Sequence, residues 1–342
     1  PEALLADLRA EHAWAPLPRM DSLFIGGGTP SVLSGAAVAD LLDGIAAIVD
    51  LPATAEITLE ANPGAVDAAR FQAYRAAGIN RLSIGVQSFS DAGLQALGRI
   101  HTAADAREAL RAARSAGFDN INLDLMFGLP AQCCDDALRE LDAAIACEPE
   151  HLSWYQLTLE PNTAFHHAPP ALPAESEIAE MAEQGQQRLE AAGYHRYEVS
   201  AFARDGLQCR HNLNYWRFGD YAGIGPGAHG KRTRADGRIA RRTKRRGPAD
   251  YLAASGAAAV SREWVLDADD LVIEFMLNSL RLVAGVPRSH FADTTGLPDA
   301  AIAEACAGAI ERGLLHDTRE RLQPTPLGLR YLNDLQALFL PD

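Results

Sequence analysis

The sequence has few cysteines, and none of them falls in a metal-binding or cluster-binding pattern. Among its 342 residues there are five cysteines, of which Cys133 and Cys134 are adjacent. Neither Cys-x-x-Cys nor Cys-x-x-x-Cys, the spacings typical of zinc and iron–sulfur sites, occurs in the chain. The odd number and the lack of paired spacings also argue against a disulfide framework. The chain as written therefore contains no cysteine cluster site.

Positive charge and long apolar segments are scarce as well. Lysine and arginine number 31 against 45 aspartates and glutamates, so the formal net charge is −14. Such a charge argues against nonspecific binding to nucleic acid or to anionic membranes. No uninterrupted apolar segment approaches the roughly 20 residues that cross a bilayer, and the first residues do not form a signal peptide. We therefore expect a cytoplasmic protein that binds no nucleic acid and is not an integral membrane protein.

What the sequence does contain is a repeated alternation of strands and amphipathic helices. A short apolar run at 22–25 stops on three glycines, and further strands are predicted at 56–59, 81–86, 120–125 and 151–159. Helices between them are expected to start at Ser34, Asp67 and Thr102. Because strands and helices alternate, the sequence predicts an α/β fold with a parallel sheet.

Residues suited to a small polar ligand recur where these strands end. In parallel sheets and barrels, the ligand sits at the carboxyl ends of the strands. Glycines let backbone groups approach such a ligand closely, and carboxylates or amides can take its hydroxyl or amino groups. Taken singly, each position could instead be a tight turn, a helix cap or a solvated loop residue. The strand-end residues are those at 26–29, Glu60, Gln87, Asp124 and Gln156.

Several ordered motifs extend this pattern along nearly the whole chain. They are Gly26-Gly27-Gly28-Thr29-Pro30-Ser31, Glu60-Ala61-Asn62-Pro63, Gly85-Val86-Gln87-Ser88-Phe89, Leu97-Gly98-Arg99, the run at 122–130, His211-Asn212-x-x-Tyr215-Trp216 and the run at 223–230. Together they resemble radical S-adenosylmethionine (SAM) proteins related to oxygen-independent coproporphyrinogen III oxidase, and within that group the HemW-type haem chaperones. The resemblance implies a partial parallel (β/α) barrel of radical SAM type. It also implies SAM, a [4Fe–4S] cluster and haem as cofactors.

The same resemblance implies which residues bind SAM. Gly27, Gly28 and Thr29 would hold the methionyl part, and the other contacts would come from Glu60, Gln87, Arg99 and Asp124. These types suit the ligand, because ribose hydroxyls need carboxylate acceptors and the SAM carboxylate needs a guanidinium.

The sequence departs from the family at the cluster. The family carries Cys-x-x-x-Cys-x-x-Cys on its first strand, where three thiolates hold the [4Fe–4S] cluster and leave one iron open for SAM. That motif is absent here. We therefore expect no cluster ligand among the cysteines present, and we expect the first strand and the ligands upstream of residue 1.

The run from His211 to Trp216 combines an imidazole with two large aromatic faces. A neutral imidazole can ligate haem iron, while Tyr215 and Trp216 can pack against the macrocycle. Composition alone favours a partly buried loop with a hydrogen-bonded histidine, whereas the resemblance favours a haem site. His211 is thus the expected iron ligand, with Cys209 as an alternative thiolate and His229 as a third candidate.

A basic segment and a separate C-terminal region follow. Nine of the residues at 231–246 are Lys or Arg against one acid, Asp236, and Asp236-Gly237 predicts a type I′ hairpin. The segment is either a solvated face or an isolated positive patch for haem propionates or an acidic partner. We expect a first domain at 1–262, carrying this hairpin and the His211 run. Residues 263–342 should form a smaller winged-helix-like α+β domain that serves as a lid.

These features lead to three hypotheses of function. The first is a haem chaperone that binds haem and transfers it to haem-dependent respiratory proteins, touching membranes at most peripherally through its recipient. The second is a radical SAM oxidoreductase that acts on a tetrapyrrole such as coproporphyrinogen III. The third is a transcription-type binding module, which would leave the strand-end residues without a role. The resemblance favours the first.

Overall fold

The longest sheet of the computed structural model has seven strands. The structure describes residues 1–64, 67–161, 163–254 and 256–341. The seven strands belong to a unit formed by Ser22–Ala39 and Glu56–Cys209, here called the sheet unit. The rest of the chain, Pro1–Asp21, Asp40–Ala55 and Arg210–Asp342, forms a second unit, here called the hairpin unit. The predicted boundary between residues 262 and 263 is a different division and stays a prediction.

The sheet confirms the predicted parallel arrangement. Its strands are β1 Ser22–Ile25, β2 Glu56–Ala61, β3 Arg81–Gln87, β4 Ile121–Phe127, β5 His151–Gln156, β6 His195–Glu198 and β7 Ala201–Ala203. They lie in the order β1-β2-β3-β4-β5-β7-β6, with β1 to β5 parallel and β7 antiparallel to both β5 and β6. The last two strands were not predicted, because three or four residues are too few to show a strand period. The result is a partial parallel barrel.

Helices follow most strands of the sheet unit. They are α3 Ala68–Ala77, α4 Asp91–Ala96, α5 Ala103–Ser115, α6 Cys134–Ile145, α7 Ala164–His167 and α8 Glu175–Ala191, while α2 Gly35–Ala46 has residues in both units. The predicted starts are confirmed: Ser34, Asp67 and Thr102 each accept a backbone N–H of the first helical turn.

Side chains on the two faces of the central strands differ in polarity. On β3, Leu82, Ile84 and Val86 are fully buried. The alternate positions, Arg81 and Ser83, are polar and also buried. Because successive side chains of a strand point to opposite faces, one face of the sheet carries the apolar core and the other is lined by polar groups.

The hairpin unit contains a three-stranded antiparallel sheet beside the first helix. Its elements up to residue 265 are α1 Glu2–Trp14, α9 Arg210–Trp216, β8 His229–Thr233, β9 Ile239–Lys244, α10 Pro248–Ala253 and β10 Val260–Val265. The Asp236-Gly237 hairpin joins β8 to β9, but its turn is not type I′. Gly237 has φ 79° and Asp236 does not have positive φ, so a type I turn from Arg234 ends on one left-handed glycine.

The C-terminal part of this unit combines five helices with two short strands. It comprises α11 Ala268–Ser279, β11 Val286–Pro287, α12 Ser289–Thr295, α13 Ala303–Glu311, β12 Arg321–Leu322, α14 Pro326–Arg330 and α15 Leu332–Ala337. The strand β12 pairs with β11, and a single bridge joins Leu315 to Pro324. In the described part of the chain, every helix is too short or too polar to cross a bilayer.

Candidate functional site

The glycine loop after β1 lies against the carboxylate of Glu60. Gly27 donates its backbone N–H to Glu60 Oε2 at 3.0 Å, and a Cβ on Gly26 would come within 2.9 Å of Glu60 Cδ. Gly27 and Gly28 have φ of 83° and 59°, and a Cβ on either would meet no protein atom within 4 Å. Thr29 follows and precedes the 3₁₀ turn Pro30–Val32. The loop thus needs glycine for its conformation and leaves space beside it for a ligand.

Asp124, in the middle of β4, is held by two neighbouring side chains. Asn122 Nδ2 donates to Asp124 Oδ1 at 2.8 Å, and Ser83 Oγ donates to Asp124 Oδ2 at 3.1 Å. Desolvation raises the pKa of Asp124, although these donors oppose the shift. Desolvation also raises the pKa of Glu60, and the negative charge of Asp124 adds to that rise. The structure therefore brings the two predicted carboxylates into one site.

Gln87 is fixed by a tyrosine that the sequence did not predict. It is the last residue of β3 and has φ 67°, a left-handed conformation that is uncommon for a residue with a side chain. Tyr155 Oη donates to Gln87 Oε1 at 2.7 Å, and burial raises the pKa of Tyr155. A Cβ on Gly85 would lie 3.0 Å from Gln87 Nε2, so glycine there makes room for the amide. Tyr155 thus belongs to the strand-end site.

Arg99 and Gln156 differ in their relation to this site. Arg99 is exposed after the left-handed Gly98, and its positive charge lowers the pKa of Tyr155 against the effect of burial. It therefore lies close enough to act on the site electrostatically. Gln156 follows Tyr155 directly, so strand alternation turns its exposed side chain toward the opposite face. The amide expected from Gln156 is replaced by the phenol of Tyr155.

The predicted haem residues lie on the short helix α9 of the hairpin unit. The rings of His211 and Tyr215, one turn apart, meet edge to face at 4.7 Å, and Tyr215 packs on Tyr221 at 4.4 Å. Burial raises the pKa of Tyr215 to about 12. The guanidinium of Arg281 lies 4.3 Å from the centre of the Trp216 ring. His211, Tyr215 and Trp216 are all partly exposed, so the helix offers an imidazole and aromatic surface together.

An ion pair supports this aromatic cluster from two other elements. Arg241 on β9 donates Nε to Glu274 Oε2 at 2.9 Å, and its Nη1 donates to Tyr221 Oη. Glu274 lies on α11. The sequence did not predict this ion pair, because Arg241 and Glu274 lie 33 positions apart along the chain.

The two alternative iron ligands have different surroundings. Cys209 is 1% exposed in the sheet unit, and its thiol donates to Glu56 Oε1 at 3.5 Å. His229 is exposed at the start of β8. The choice of His211 as the iron ligand stays a prediction.

The five cysteines do not fit an iron–sulfur cluster. Cys133 is exposed, Cys134 and Cys147 are partly exposed, and Cys209 and Cys306 are buried. Among the residues that the structure describes, no three or more His, Cys, Asp or Glu side chains converge as metal ligands.

The basic segment at 231–246 is divided between exposed arginines, such as Arg245 and Arg246, and buried cations that are paired with acids. Lys244 is 2% exposed, and its Nζ lies 2.5 Å from Asp7 Oδ1 and 2.6 Å from Glu11 Oε1. Arg242 pairs with Glu263 at 2.7 Å and with Glu11 at 3.1 Å. Much of the segment's charge is therefore used inside the hairpin unit, where acidic residues distant in sequence neutralise it.

Comparisons with known proteins agree with this architecture. A family model described as the Radical SAM superfamily matches residues 5–141, and one described as the HemN C-terminal domain matches residues 266–331. A solved structure of coproporphyrinogen III oxidase (HemN) from Escherichia coli, described as a radical SAM enzyme, matches with a TM-score of 0.79. The match covers 98% of this chain and 81% of that one at 21% identity, which shows a shared fold.

Similarity in sequence is much higher to another group. The protein named heme chaperone HemW from Escherichia coli K12 is 50% identical over 339 residues, which are 99% of this chain and 89% of that protein. The protein of the same name from Bacillus subtilis is 35% identical over 335 residues, 95% of this chain and 86% of that protein. Identity at this level over nearly the full length shows that the chain belongs to the HemW family of radical SAM proteins.

Proposed function

We propose that this chain is a haem chaperone that binds haem through α9 and passes it to haem-dependent respiratory proteins in the cytoplasm. The observation that carries the proposal is the 50% identity over 99% of the chain to a protein named heme chaperone. The arrangement of His211 against Tyr215 supports it, because a partly exposed imidazole beside an aromatic surface suits a haem iron and its macrocycle.

Each residue of α9 has a distinct part in the proposal. A ring nitrogen of His211 would ligate the haem iron, and Tyr215 and Trp216 would pack against the porphyrin. Tyr221 accepts a hydrogen bond from Arg241. Its ring packs against that of Tyr215, with the ring centres 4.4 Å apart, and would hold Tyr215 in place. A rigid aromatic support reduces the loss of side-chain entropy on binding.

The strand-end site suits SAM. In this superfamily, SAM together with a [4Fe–4S] cluster supplies radical chemistry. The exposed backbone of Gly27 and Gly28 would bind the methionyl part, and Arg99 would pair with its carboxylate. The remaining polar contacts would come from Glu60, Gln87 and Asp124. The five cysteines of this sequence do not fit the cluster.

A haem titration of the full chain tests the proposal. We expect a Soret band that saturates at one haem per chain, and we expect His211→Ala to shift or abolish it with the circular dichroism spectrum unchanged. His229→Ala is the matched control, because His229 is an exposed histidine in the same unit; it should keep the parent spectrum. Cys209→Ser examines a thiolate ligand.

The outcomes separate the competing functions. A chain that binds no stoichiometric haem is not a haem chaperone of this kind. Loss of the spectrum in Cys209→Ser but not in His211→Ala would move the iron ligand to the thiol. Decarboxylation of coproporphyrinogen III by the cluster-loaded protein would instead favour a tetrapyrrole oxidoreductase.

A further inference from the structure

A buried row of polar side chains lies behind Asp124, across three neighbouring strands. Ser83, Asn122 and His151 are register partners on β3, β4 and β5. All three are buried, with exposures of 6%, 2% and 0%. Tyr197 on β6 continues the row and is 6% exposed. Burying a polar group costs free energy unless the group is hydrogen-bonded. The need to satisfy every polar atom of this row therefore determines which side chain donates and which accepts.

The amide of Asn122 uses its full hydrogen-bonding capacity. Its Nδ2 donates to Ser83 Oγ and to Asp124 Oδ1, each at 2.8 Å. Its Oδ1 accepts from Ser153 Oγ at 3.1 Å and lies 2.6 Å from His151 Nδ1. An amide offers two N–H donors and two lone pairs, so none remains unused. A flipped amide would turn its oxygen toward the Asp124 carboxylate, which only accepts when ionised.

This orientation determines the tautomer of His151. Asn122 Oδ1 can only accept, so His151 Nδ1 must carry the proton. Burial lowers the pKa of His151 well below its usual value, and the positive charge of Arg81 lowers it further. The imidazole is therefore neutral, and its Nε2 accepts from Tyr197 Oη at 2.9 Å. The donors thus run in one direction, from Tyr197 through His151 and Asn122 to Asp124.

We propose that Tyr197, His151 and Asn122 are positioning residues that keep Asp124 oriented as an acceptor for a pair of ligand hydroxyls. An ionised carboxylate has about four lone-pair positions. Asn122 and Ser83 occupy two of them. Ser153 is also within hydrogen-bonding reach of Asp124, but its single proton is donated to Asn122 Oδ1 at 3.1 Å, so two positions remain for the ligand. Two acceptor positions on one carboxylate match a vicinal diol such as that of a ribose. This inference rests on the proposed binding of SAM at the strand-end site.

A purely structural role for the row makes a different prediction. Removing a bond from an ordinary buried network lowers stability and leaves the affinity of the surviving folded protein unchanged. A positioning role lowers the affinity for the diol ligand in proteins that remain folded. It also allows rescue by a side chain that keeps the direction of the donors.

Calorimetric titration of the full chain with SAM measures the positioning effect. We expect Asn122→Asp to weaken binding about tenfold or more, because it replaces a donor to Asp124 with a second carboxylate. His151→Leu should weaken binding several-fold, since it interrupts the row. His151→Gln should restore affinity to within about twofold, because an amide can donate to Asn122 and accept from Tyr197.

A matched pair of tyrosines controls for the loss of a buried hydroxyl. Tyr197→Phe removes the first donor of the row. Tyr194→Phe removes a hydroxyl that donates to Pro149 O at 2.6 Å, in the same unit and outside the row. Thermal unfolding should show similar losses for both variants. Only Tyr197→Phe should lower the affinity for SAM.

Nitrogen-15 NMR of the histidine rings tests the row without any ligand. The parent should show His151 neutral and protonated on Nδ1 at pH 7. Protonation on Nε2, or a charged ring, would overturn the proposal whether or not SAM binds.

The titrations also separate this proposal from the proposed function. If Asp124→Asn weakens SAM while the folded Asn122→Asp and His151→Leu variants bind it as the parent does, the positioning role is wrong and the SAM site stands. If the parent chain and Asp124→Asn bind SAM equally, the assignment of the SAM site is wrong. The NMR measurement of the His151 tautomer then still tests the direction of the hydrogen bonds in the row.

Discussion

The two units bury polar groups by opposite means. In the sheet unit, the amide of Asn122 and the hydroxyl of Ser83 donate to one carboxylate, Asp124, and the neutral imidazole of His151 donates to that amide. In the hairpin unit, Lys244 and Arg242 are buried in direct ion pairs with Asp7 and Glu11. Both arrangements satisfy their hydrogen bonds, but they serve different ends.

The difference lies in what each network leaves unused. The ion pairs neutralise one another and tie α1 to β9, which suits a structural connection. The neutral row leaves Asp124 with acceptor capacity toward the strand-end site, which suits a ligand. A buried charge is thus structural where its direct partner carries the opposite charge, and it is available for binding where its hydrogen-bond partners are neutral donors.

The largest effect should come from breaking the ionic network. Lys244→Met would leave Asp7 and Glu11 buried beside each other without their shared cation. We expect the free energy of unfolding, measured by denaturant titration, to fall by about 3–5 kcal/mol. Arg238→Met is the control, because Arg238 pairs with Asp236 at the exposed hairpin turn. It should cost about 1 kcal/mol or less, and equal losses in the two variants would contradict the distinction.

A smaller effect is expected from removing the carboxylate that the neutral row serves. Asp124→Asn should weaken the binding of SAM by about 1–3 kcal/mol, or roughly fivefold to 150-fold, because a ligand hydroxyl loses its charged acceptor. Asp135→Asn, at an exposed position on α6, should leave the affinity unchanged. Unchanged calorimetric affinity in the folded Asp124 variant would show that this carboxylate takes no part in binding.

The sequence predicted the parallel sheet and the strand-end carboxylates because both depend on local patterns. The apolar strand segments, helix caps such as Thr102 and the glycines that end β1 can each be recognised from adjacent residues. The same local pattern also indicates a polar face of the sheet. Ser83 and Gln87 lie on one side of β3, and Asn122 and Asp124 lie on one side of β4, because every second side chain of a strand points to the same face.

Other features depend on residues that are far apart in sequence. Lys244 reads as part of a positive patch because Asp7, its partner, lies 237 positions away. Likewise, nothing local to Tyr155 indicates that its phenol fixes the Gln87 amide. Tertiary partners decide whether a charge is exposed or neutralised, and single-sequence patterns do not contain them.

The glycine loop should combine a modest loss of stability with a loss of binding. Gly28→Ala puts a side chain at φ 59°, where we expect a cost of about 1–2 kcal/mol. Gly117→Ala is a matched control in the same unit, since its φ is 86° and its Cβ would also meet no atom within 4 Å. Thermal unfolding should show similar losses of stability in the two variants, whereas only Gly28→Ala should lower the affinity for SAM. Equal affinity in both variants would make the loop an ordinary turn.

The smallest effect is the dependence of stability on pH through His151. Its pKa in the folded chain lies well below the unfolded value of 6.5, so between the two values the unfolded chain binds more protons. The contribution of His151 to stability is therefore full above about pH 6.5 and falls as the pH drops, by up to about 1.4 kcal/mol per pH unit.

The raised pKa values of Glu60 and Asp124 act in the opposite direction. The comparison must therefore be with His151→Gln, which keeps both carboxylates. Denaturant titrations from pH 5 to 8 should show a flatter profile for His151→Gln than for the parent. The exposed-site variant His195→Gln should follow the parent, and identical profiles for all three chains would mean that His151 is not held neutral by the row.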